Sequence, residues 1–148
     1  MSHDLEAVDP ESHIVIGAGI DVHRTLGCGF PENVYQEAFE IELADRRIPF
    51  VREAALQIRF KGGLLRVHYR VDFICFERLL VELKATPQIL RADYAQMISY
   101  LKAAGAERGL VLNFGGPVLE VKRVVFSSAL HEAAPGMVES AARSDASG

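Results

Sequence analysis

The sequence predicts an α/β (α+β) fold in which a central mixed β-sheet is flanked by helices. Two observations support this class. Apolar residues recur at helical spacing in three stretches, and five shorter stretches are rich in β-branched and aromatic residues. The predicted order of elements is α-α-β-β-β-α-β-β. Because helices bury the apolar faces of a sheet, we expect a sandwich built around one sheet.

Two predicted helices begin the chain. The first is expected over residues 11–27, where apolar residues recur every four positions before a glycine-rich segment. Pro31 suits the first turn of the second helix, which should run to about Arg47 before Pro49 stops it. Both helices are amphipathic and should therefore pack against the sheet.

A three-stranded meander should follow, with strands at residues 50–60, 64–76 and 79–85. Lys61-Gly62-Gly63 suits the first turn, and Glu77-Arg78 is expected to form the second. The apolar, β-branched and aromatic residues of these stretches favour strands over helices.

A third helix and two strands complete the predicted domain. Thr86 and the proline after it are expected to be the N-cap and first residue of a helix over residues 87–104. The last two strands are expected at residues 109–114 and 119–126.

The chain of 148 residues should contain one domain. We expect a polar leader at residues 1–10, a folded domain at residues 11–126, and a disordered tail at residues 127–148. No apolar run approaches the roughly 20 residues of a membrane span. The N-terminus lacks signal-peptide features, and the two cysteines form no CxxC motif. A cytoplasmic protein without a membrane partner is expected.

Charge is distributed unevenly along the chain. The net charge of −4 includes ten acidic residues and one basic residue in residues 1–45, but ten basic and four acidic residues in residues 46–91. A local basic patch can bind phosphate whatever the net charge. The basic segment is therefore compatible with a nucleic-acid partner, although solvated strand faces explain it equally well.

The hairpin of the second and third strands carries three charges among apolar residues: Asp72 on one strand, and Glu82 and Lys84 on the next. The expected turn sets Phe73 opposite Glu82 and Asp72 opposite Leu83, so the two carboxylates are near neighbours. A buried ion must be paired or bound to a metal, and Glu82 and Lys84 share a face. The hairpin is therefore a candidate divalent-metal site with a charged helper.

Two further candidates lie on helices. Glu32 is expected in the first turn of the second helix, where the helix dipole favours an ionised carboxylate. A metal ligand, a water-orienting base and a simple stabiliser of the turn all fit this position. Gln96 and Tyr100 are four residues apart and share a face of the third helix. They are candidates for positioning water or phosphate, or for a purely structural contact.

The segment from Gly29 to Tyr35, GFPENVY, matches the pattern GxxExxY. Together with the hairpin, it resembles the GxxExxY family of the PD-(D/E)XK nuclease superfamily. The resemblance covers about residues 11–126 and implies a restriction-endonuclease-like core. Asp72 matches the motif aspartate, and Glu82-Leu83-Lys84 matches (D/E)xK. Val71 replaces the proline that names the superfamily, at a position that its members often vary.

The other motifs have counterparts too. Glu32 is similar to the helix glutamate of Holliday-junction-resolvase-like members, and residues 96–100 (QMISY) are similar to the QxxxY motif of the helicase–nuclease branch. The resemblance implies a Mg²⁺- or Mn²⁺-dependent nuclease that acts on DNA, with branched, repair or recombination intermediates among its candidate substrates. RNA stays open as a substrate. A homodimer is also open, because cutting two strands favours a symmetric pair.

The resemblance also implies a role for each residue. Asp72, Glu82 and the Leu83 backbone carbonyl would hold one metal ion, and Glu32 would complete the shell directly or through water. Lys84 should stay charged beside these carboxylates and stabilise the transition state. Gln96 and Tyr100 would position the water or the phosphate strand. Separately, the basic residues that are candidates for contacts with the nucleic-acid backbone are Arg52, Arg59, Arg70 and Arg91.

Two other classes of protein remain open. One is a nucleic-acid-binding module of the same fold that does not cut its ligand. The other is a regulatory or assembly protein that docks a partner through its acidic first 45 residues. The intact Asp72, Glu82 and Lys84 favour the enzyme, because a non-catalytic descendant has no reason to bury three charges.

Overall fold

A computed structural model describes residues 9–127. The expected leader, apart from its last two residues, and the expected tail, apart from residue 127, lie outside this described part. Helices and strands follow in the predicted order, which confirms the α/β fold class. The helices are α1 (Pro10–Leu26), α2 (Glu32–Asp45) and α3 (Arg91–Ala104), and the strands are β1 (Phe50–Phe60), β2 (Gly63–Cys75), β3 (Leu79–Lys84), β4 (Arg108–Asn113) and β5 (Glu120–Val125).

The five strands form one mixed sheet in the order β1-β2-β3-β4-β5. Strands β3 and β4 are parallel, and every other neighbouring pair is antiparallel. A parallel pair needs a crossover connection, which α3 supplies between β3 and β4. Among the described residues, no helix is both long and apolar enough to cross a membrane.

Helices cover both faces of the sheet and form two cores. Every residue of β3 is buried or half-buried. Because alternate residues of a strand point to opposite faces, β3 is covered on both sides of the sheet. The core under α1 and α2 includes Val15, Ala18, Tyr35, Phe39, Leu43, Phe73, Val81, Leu83, Leu112 and Phe114. The core under α3 includes Ala54, Leu56, Val71, Leu80, Met97, Tyr100, Leu101 and Val111.

The predicted start of the third helix is wrong. Helix α3 begins at Arg91 rather than at Pro87, and the Asp93 carboxylate accepts a hydrogen bond from the Leu90 N–H at 2.9 Å. The preceding loop is held instead by β4, because the Asn113 side chain accepts from the Thr86 N–H and donates to the Thr86 carbonyl, both at 2.9 Å. These long-range bonds replace the local cap that Thr86 was expected to provide.

The predicted register of the central hairpin is wrong by one residue. Phe76 leaves the strand with φ 54° and Glu77 follows with φ 66°, so the turn starts one residue earlier than expected. Phe73 consequently pairs with Val81, not with Glu82. The next position on each strand is Asp72 on β2 and Glu82 on β3, and a hydrogen bond joins these two residues. The other helix and strand ends agree with prediction to within one or two residues. Pro31 is the N-cap of α2, which begins at Glu32.

Candidate functional site

The regular ladder between β2 and β3 ends at the pair Phe73 and Val81. Beyond this pair, the two strands are joined by hydrogen bonds from backbone N–H groups to side-chain carboxylates. The Asp72 N–H donates to Glu82 Oε1 at 3.0 Å, and the Leu83 N–H donates to Asp72 Oδ2 at 2.8 Å. Each carboxylate thus binds the backbone of the opposite strand and satisfies a donor that burial would otherwise leave unpaired.

Strand β1 is irregular at the same level. Glu53 has φ 54°, an uncommon conformation for a residue other than glycine. The β1–β2 ladder skips Glu53 and Asp72, although the positions on either side of them pair. Phe73 packs in the core under α1 and α2, whereas Val71 packs under α3. In a regular strand, residues two apart point to the same face, so the side-chain alternation of β2 is interrupted at Asp72. The Asp72 carboxylate therefore lies at a break in the sheet.

Helix α2 brings two polar side chains to this break. Glu32 begins the helix, and its carboxylate interacts electrostatically with Asp72. Gln36 Nε2 donates to Glu32 Oε2 at 3.1 Å. The Gln36 side chain is also close enough to Asp72 to oppose the rise in the pKa of that carboxyl. Gln36 therefore lies between the two carboxylates. The sequence prediction missed it, although its spacing of four residues from Glu32 was a usable signal.

The ammonium group of Lys84 lies 3.5 Å from Asp93 Oδ1, and both side chains are about one fifth exposed. The other oxygen of Asp93 accepts from the Leu90 N–H, so the start of α3 fixes this partner of Lys84. The sequence prediction also missed Asp93. Its position follows from the true start of α3, which the sequence did not indicate.

Burial and mutual repulsion raise the pKa values of the acidic residues. Burial is the main cause for Glu82 and the negative charge of Asp72 adds to it, so the pKa of Glu82 rises to about 8. Burial also raises the pKa of Asp72, although the hydrogen bond from Leu83 opposes the rise. The pKa of Glu32 is raised by burial and then by Asp72. The three carboxylates therefore form one coupled group.

Tyr100 is close enough to this group for its pKa to respond to the carboxylate charges, whereas Gln96 has no hydrogen bond to the group among the described residues. Tyr100 is 7% exposed, and its ring packs 5.1 Å from that of Tyr69. Burial, followed by the charge of Glu82, raises the pKa of Tyr100 to about 12, so the hydroxyl keeps its proton at neutral pH. Gln96 is exposed one turn earlier on α3. Within residues 9–127 no hydrogen bond joins Gln96 to the acidic residues.

The four candidate arginines have different surroundings. Arg52 forms an ion pair with Glu40 at 2.6 Å, and its charge opposes the rise in the pKa of Asp72. Arg70 pairs with Glu53 at 3.3 Å on the surface. The other two, Arg59 and Arg91, are exposed.

The tyrosine of the GxxExxY pattern has a structural position. The Tyr35 hydroxyl donates to the Gly27 carbonyl at 2.6 Å and accepts from the Phe30 N–H at 3.2 Å. Its ring stacks on Phe114 with centroids 4.7 Å apart. Tyr35 therefore shapes the loop that leads into Glu32.

The donor set fits a hard divalent cation in chemistry, although the described residues contain no group of three His, Cys, Asp or Glu placed as ready ligands. Asp72 and Glu82 each use one oxygen for a backbone N–H and retain acceptor capacity. Carboxylate and carbonyl oxygens are the ligands that Mg²⁺ prefers, and Mg²⁺ commonly takes only one or two carboxylates while it keeps several waters.

The fold and these residues define a nuclease-like αβα protein, and sequence comparison agrees. The sequence model of the PD-(D/E)XK nuclease superfamily matches residues 9–124, so the chain belongs to that superfamily. Members of this superfamily are typically nucleases that use divalent metals such as Mg²⁺. No curated protein matches the chain.

A solved structure described as "Crystal structure of SSO0001" is similar to this fold. Its TM-score is 0.51 and its sequence identity 17%, and the match covers 66% of this chain and 52% of the other. The chain therefore spans about half the length of that protein. At this identity the similarity concerns the fold alone.

Proposed function

We propose that this chain is a Mg²⁺- or Mn²⁺-dependent nuclease of the GxxExxY type that hydrolyses phosphodiester bonds of DNA. The observation that carries this function is the facing pair Asp72 and Glu82, with Lys84 on the same strand as Glu82. Buried like charges with raised pKa values are an arrangement that a divalent cation relieves. Residues 11–126 would form the catalytic domain, acting in the cytoplasm.

The metal would be held by Asp72, Glu82 and the Leu83 backbone carbonyl. Glu32 would add a further ligand, directly or through water, and Gln36 would keep Glu32 and Asp72 in place. A bound ion would polarise the scissile phosphate and lower the pKa of its water.

The surrounding side chains would orient the substrate. Lys84, paired with Asp93, would set a positive charge beside the phosphate and stabilise the charge that develops in the transition state. Tyr100 keeps its proton at neutral pH, so it would donate a hydrogen bond to a phosphate oxygen rather than act as a base. Gln96 would position water or the phosphate strand. The residues proposed to contact the nucleic-acid backbone are Arg52, Arg59, Arg70 and Arg91.

The test is cleavage of single-stranded, duplex and branched DNA, and of RNA, with Mg²⁺ or Mn²⁺. Asp72→Asn and Lys84→Met should each reduce cleavage by about 100-fold or more. The asparagine retains an oxygen acceptor for the Leu83 N–H, so the variant should still fold.

Exposed residues supply the matched controls. Glu37→Gln and Lys122→Met remove one charge each at exposed positions and should leave the rate unchanged. The proposed function fails if the wild type cuts no substrate, or if Asp72→Asn cuts as fast as Glu37→Gln. A sedimentation measurement on DNA would show whether two copies act together, as cleavage of both strands would favour.

A non-catalytic binding module is the second candidate. It is favoured by the backbone bonds of Asp72 and Glu82, because these bonds give the two carboxylates a structural role. Calorimetric titration with Mn²⁺ separates the two functions. The nuclease should bind the ion in the wild type and lose it in Asp72→Asn, whereas the module should bind nucleic acid without binding the ion.

A further inference from the structure

The outer parts of β1 and β2, residues 57–68, form a two-stranded ribbon, which we call the basic ribbon. All of its residues are exposed except Ile58, which is half-buried. Most of the ribbon therefore lies outside the two cores. A two-stranded hairpin in water is only marginally stable by itself. Contact with a partner would stabilise the ribbon, so the ribbon is a candidate binding surface.

The charged side chains of the basic ribbon are all positive. Residues 57–68 contain three Arg or Lys residues, Arg59, Lys61 and Arg66, and no acidic residue. In the part of the chain that the structure describes, no carboxylate lies within ion-pair distance of Arg59, Lys61 or Arg66. By contrast, several arginines outside the ribbon pair with acids: Arg24, Arg46, Arg52, Arg70, Arg78 and Arg108. The ribbon thus presents unneutralised positive charge on an acidic protein.

The two faces of the basic ribbon differ in chemistry. Gln57 pairs with His68 and Arg59 pairs with Leu64, and cross-strand partners share a face. The register is irregular between these pairs, where three residues of β2 lie opposite one of β1. Arg66 is the middle one of the three, two residues from both Leu64 and His68, so strand alternation places it on the same face. The opposite face is apolar and consists of Ile58, Phe60, Leu65 and Val67.

We infer that the basic ribbon docks in the major groove of duplex DNA, with its Arg59 and Arg66 face toward the DNA. The inference rests on the proposed function, which places the cleaved strand at Asp72. The major groove of B-form DNA, about 12 Å wide, admits a two-stranded ribbon, and arginine can bind guanine edges there. The major groove of A-form RNA is too deep and narrow for side chains to read. The substrate class is therefore duplex DNA.

The position of the ribbon agrees with this docking. It continues directly from the strand that carries Asp72, and Arg70 lies between the two. Leu64 is eight residues from Asp72 and so at most about 26 Å along the strand. At about 3.4 Å per base pair, the ribbon can contact DNA up to roughly eight base pairs from the cleaved bond.

Binding measured without a divalent ion tests the docking separately from cleavage. Fluorescence anisotropy in EDTA would compare a labelled duplex of about 20 base pairs with the same DNA strand alone and with duplex RNA. The wild type should bind duplex DNA most tightly. The double variant Arg59→Ser/Arg66→Ser should weaken duplex binding roughly tenfold and reduce the salt slope by about 2. The double variant Arg24→Ser/Lys122→Ser, which loses the same charge from exposed positions elsewhere, should stay within about twofold of the wild type.

Four results would overturn the docking: three in the binding experiments, and a fourth in the cleavage assay. The first is equal affinity for duplex and single-stranded DNA. The second is equal loss in the two double variants. The third is a pair of observations: the wild type is a dimer that dissociates in Phe60→Ser/Val67→Ser, and Arg59→Ser/Arg66→Ser binds duplex DNA like the wild type. The apolar face would then be the docking surface for a second copy of the chain. Ribbon-dependent binding without any cleavage would overturn the nuclease alone, and cleavage unaffected by Arg59→Ser/Arg66→Ser would overturn the docking alone.

Discussion

The carboxylates of Asp72 and Glu82 are held against each other by the fold. Each accepts a hydrogen bond from the backbone of the other strand, so neither can rotate away to relieve the repulsion. Burial, followed by the charge of Asp72, raises the pKa of Glu82 to about 8. Near neutral pH Glu82 therefore retains a proton that a separate carboxylate in water would release.

Without metal, the protein should lose stability as the pH rises from about 5 to about 8. In the unfolded chain a glutamate releases its proton near pH 4.5, whereas folded Glu82 holds its proton up to about pH 8. Raising the pH through this window therefore favours the unfolded chain. Glu82→Gln should flatten the dependence and raise the free energy of unfolding at pH 8, by at most about 1.4 kcal/mol for each unit of the pKa rise.

Urea unfolding in EDTA at the two ends of this pH range measures the effect. The exposed control Glu107→Gln should keep the pH dependence of the wild type. Mg²⁺ added at pH 8 should stabilise the wild type more than Glu82→Gln, because an ion that binds only the folded protein shifts the folding equilibrium. An identical pH slope in the wild type and Glu82→Gln would contradict the argument.

At the scale of elements, the loop before α2 depends on one buried hydroxyl. Tyr35→Phe removes the donor to Gly27 and the acceptor for the Phe30 N–H. The free energy of unfolding in urea should fall by about 1–3 kcal/mol, since both backbone groups lose their partner. Tyr94→Phe is the matched control, because Tyr94 is 43% exposed and should change stability by little. Equal stability of the two variants would show that the Tyr35 hydroxyl contributes nothing.

The loop after Lys84 depends on close backbone packing. A Cβ on Gly115 would overlap the Thr86 carbonyl oxygen and lie 2.6 Å from the Thr86 nitrogen, and a backbone cannot yield as a side chain can. Gly115→Ala should therefore destabilise the protein by about 2 kcal/mol or more and displace the segment that follows Lys84. Gly116→Ala should be nearly neutral, because its nearest atom would lie 3.7 Å away. Urea unfolding of the two variants measures the difference, and similar losses in both would contradict the packing argument.

At the scale of the whole molecule, local sequence patterns were enough to predict the order of the elements. Apolar periodicity identified the helices, and β-branched and aromatic stretches identified all five strands. The closeness of Asp72 and Glu82 was also predictable, because a short turn leaves few ways to pair the two strands. These features depend on neighbours in sequence.

The features that prediction missed depend on distant residues or unusual backbone angles. Phe76 and Glu77 adopt positive φ without a glycine, which shifted the register by one residue. The loop before α3 is held by Asn113 and Glu120, whose side chains accept hydrogen bonds from the Thr86 and Ile89 N–H groups although both lie more than 20 residues away along the chain. For the same reason, Asp93 was not recognised as the partner of Lys84.

The bonds from Asp72 and Glu82 to the backbone affect how this protein could change over evolutionary time. A descendant without a metal site would still need an oxygen acceptor at both positions to hold β2 and β3 together. Amides could replace the carboxylates there, but apolar residues would weaken the sheet. The Lys84 side chain pairs with Asp93, and within residues 9–127 it has no hydrogen bond to a backbone group, so its loss should cost less folding stability. Among relatives that have diverged, lysine at this position should therefore distinguish enzymes from inactive descendants better than either acid does.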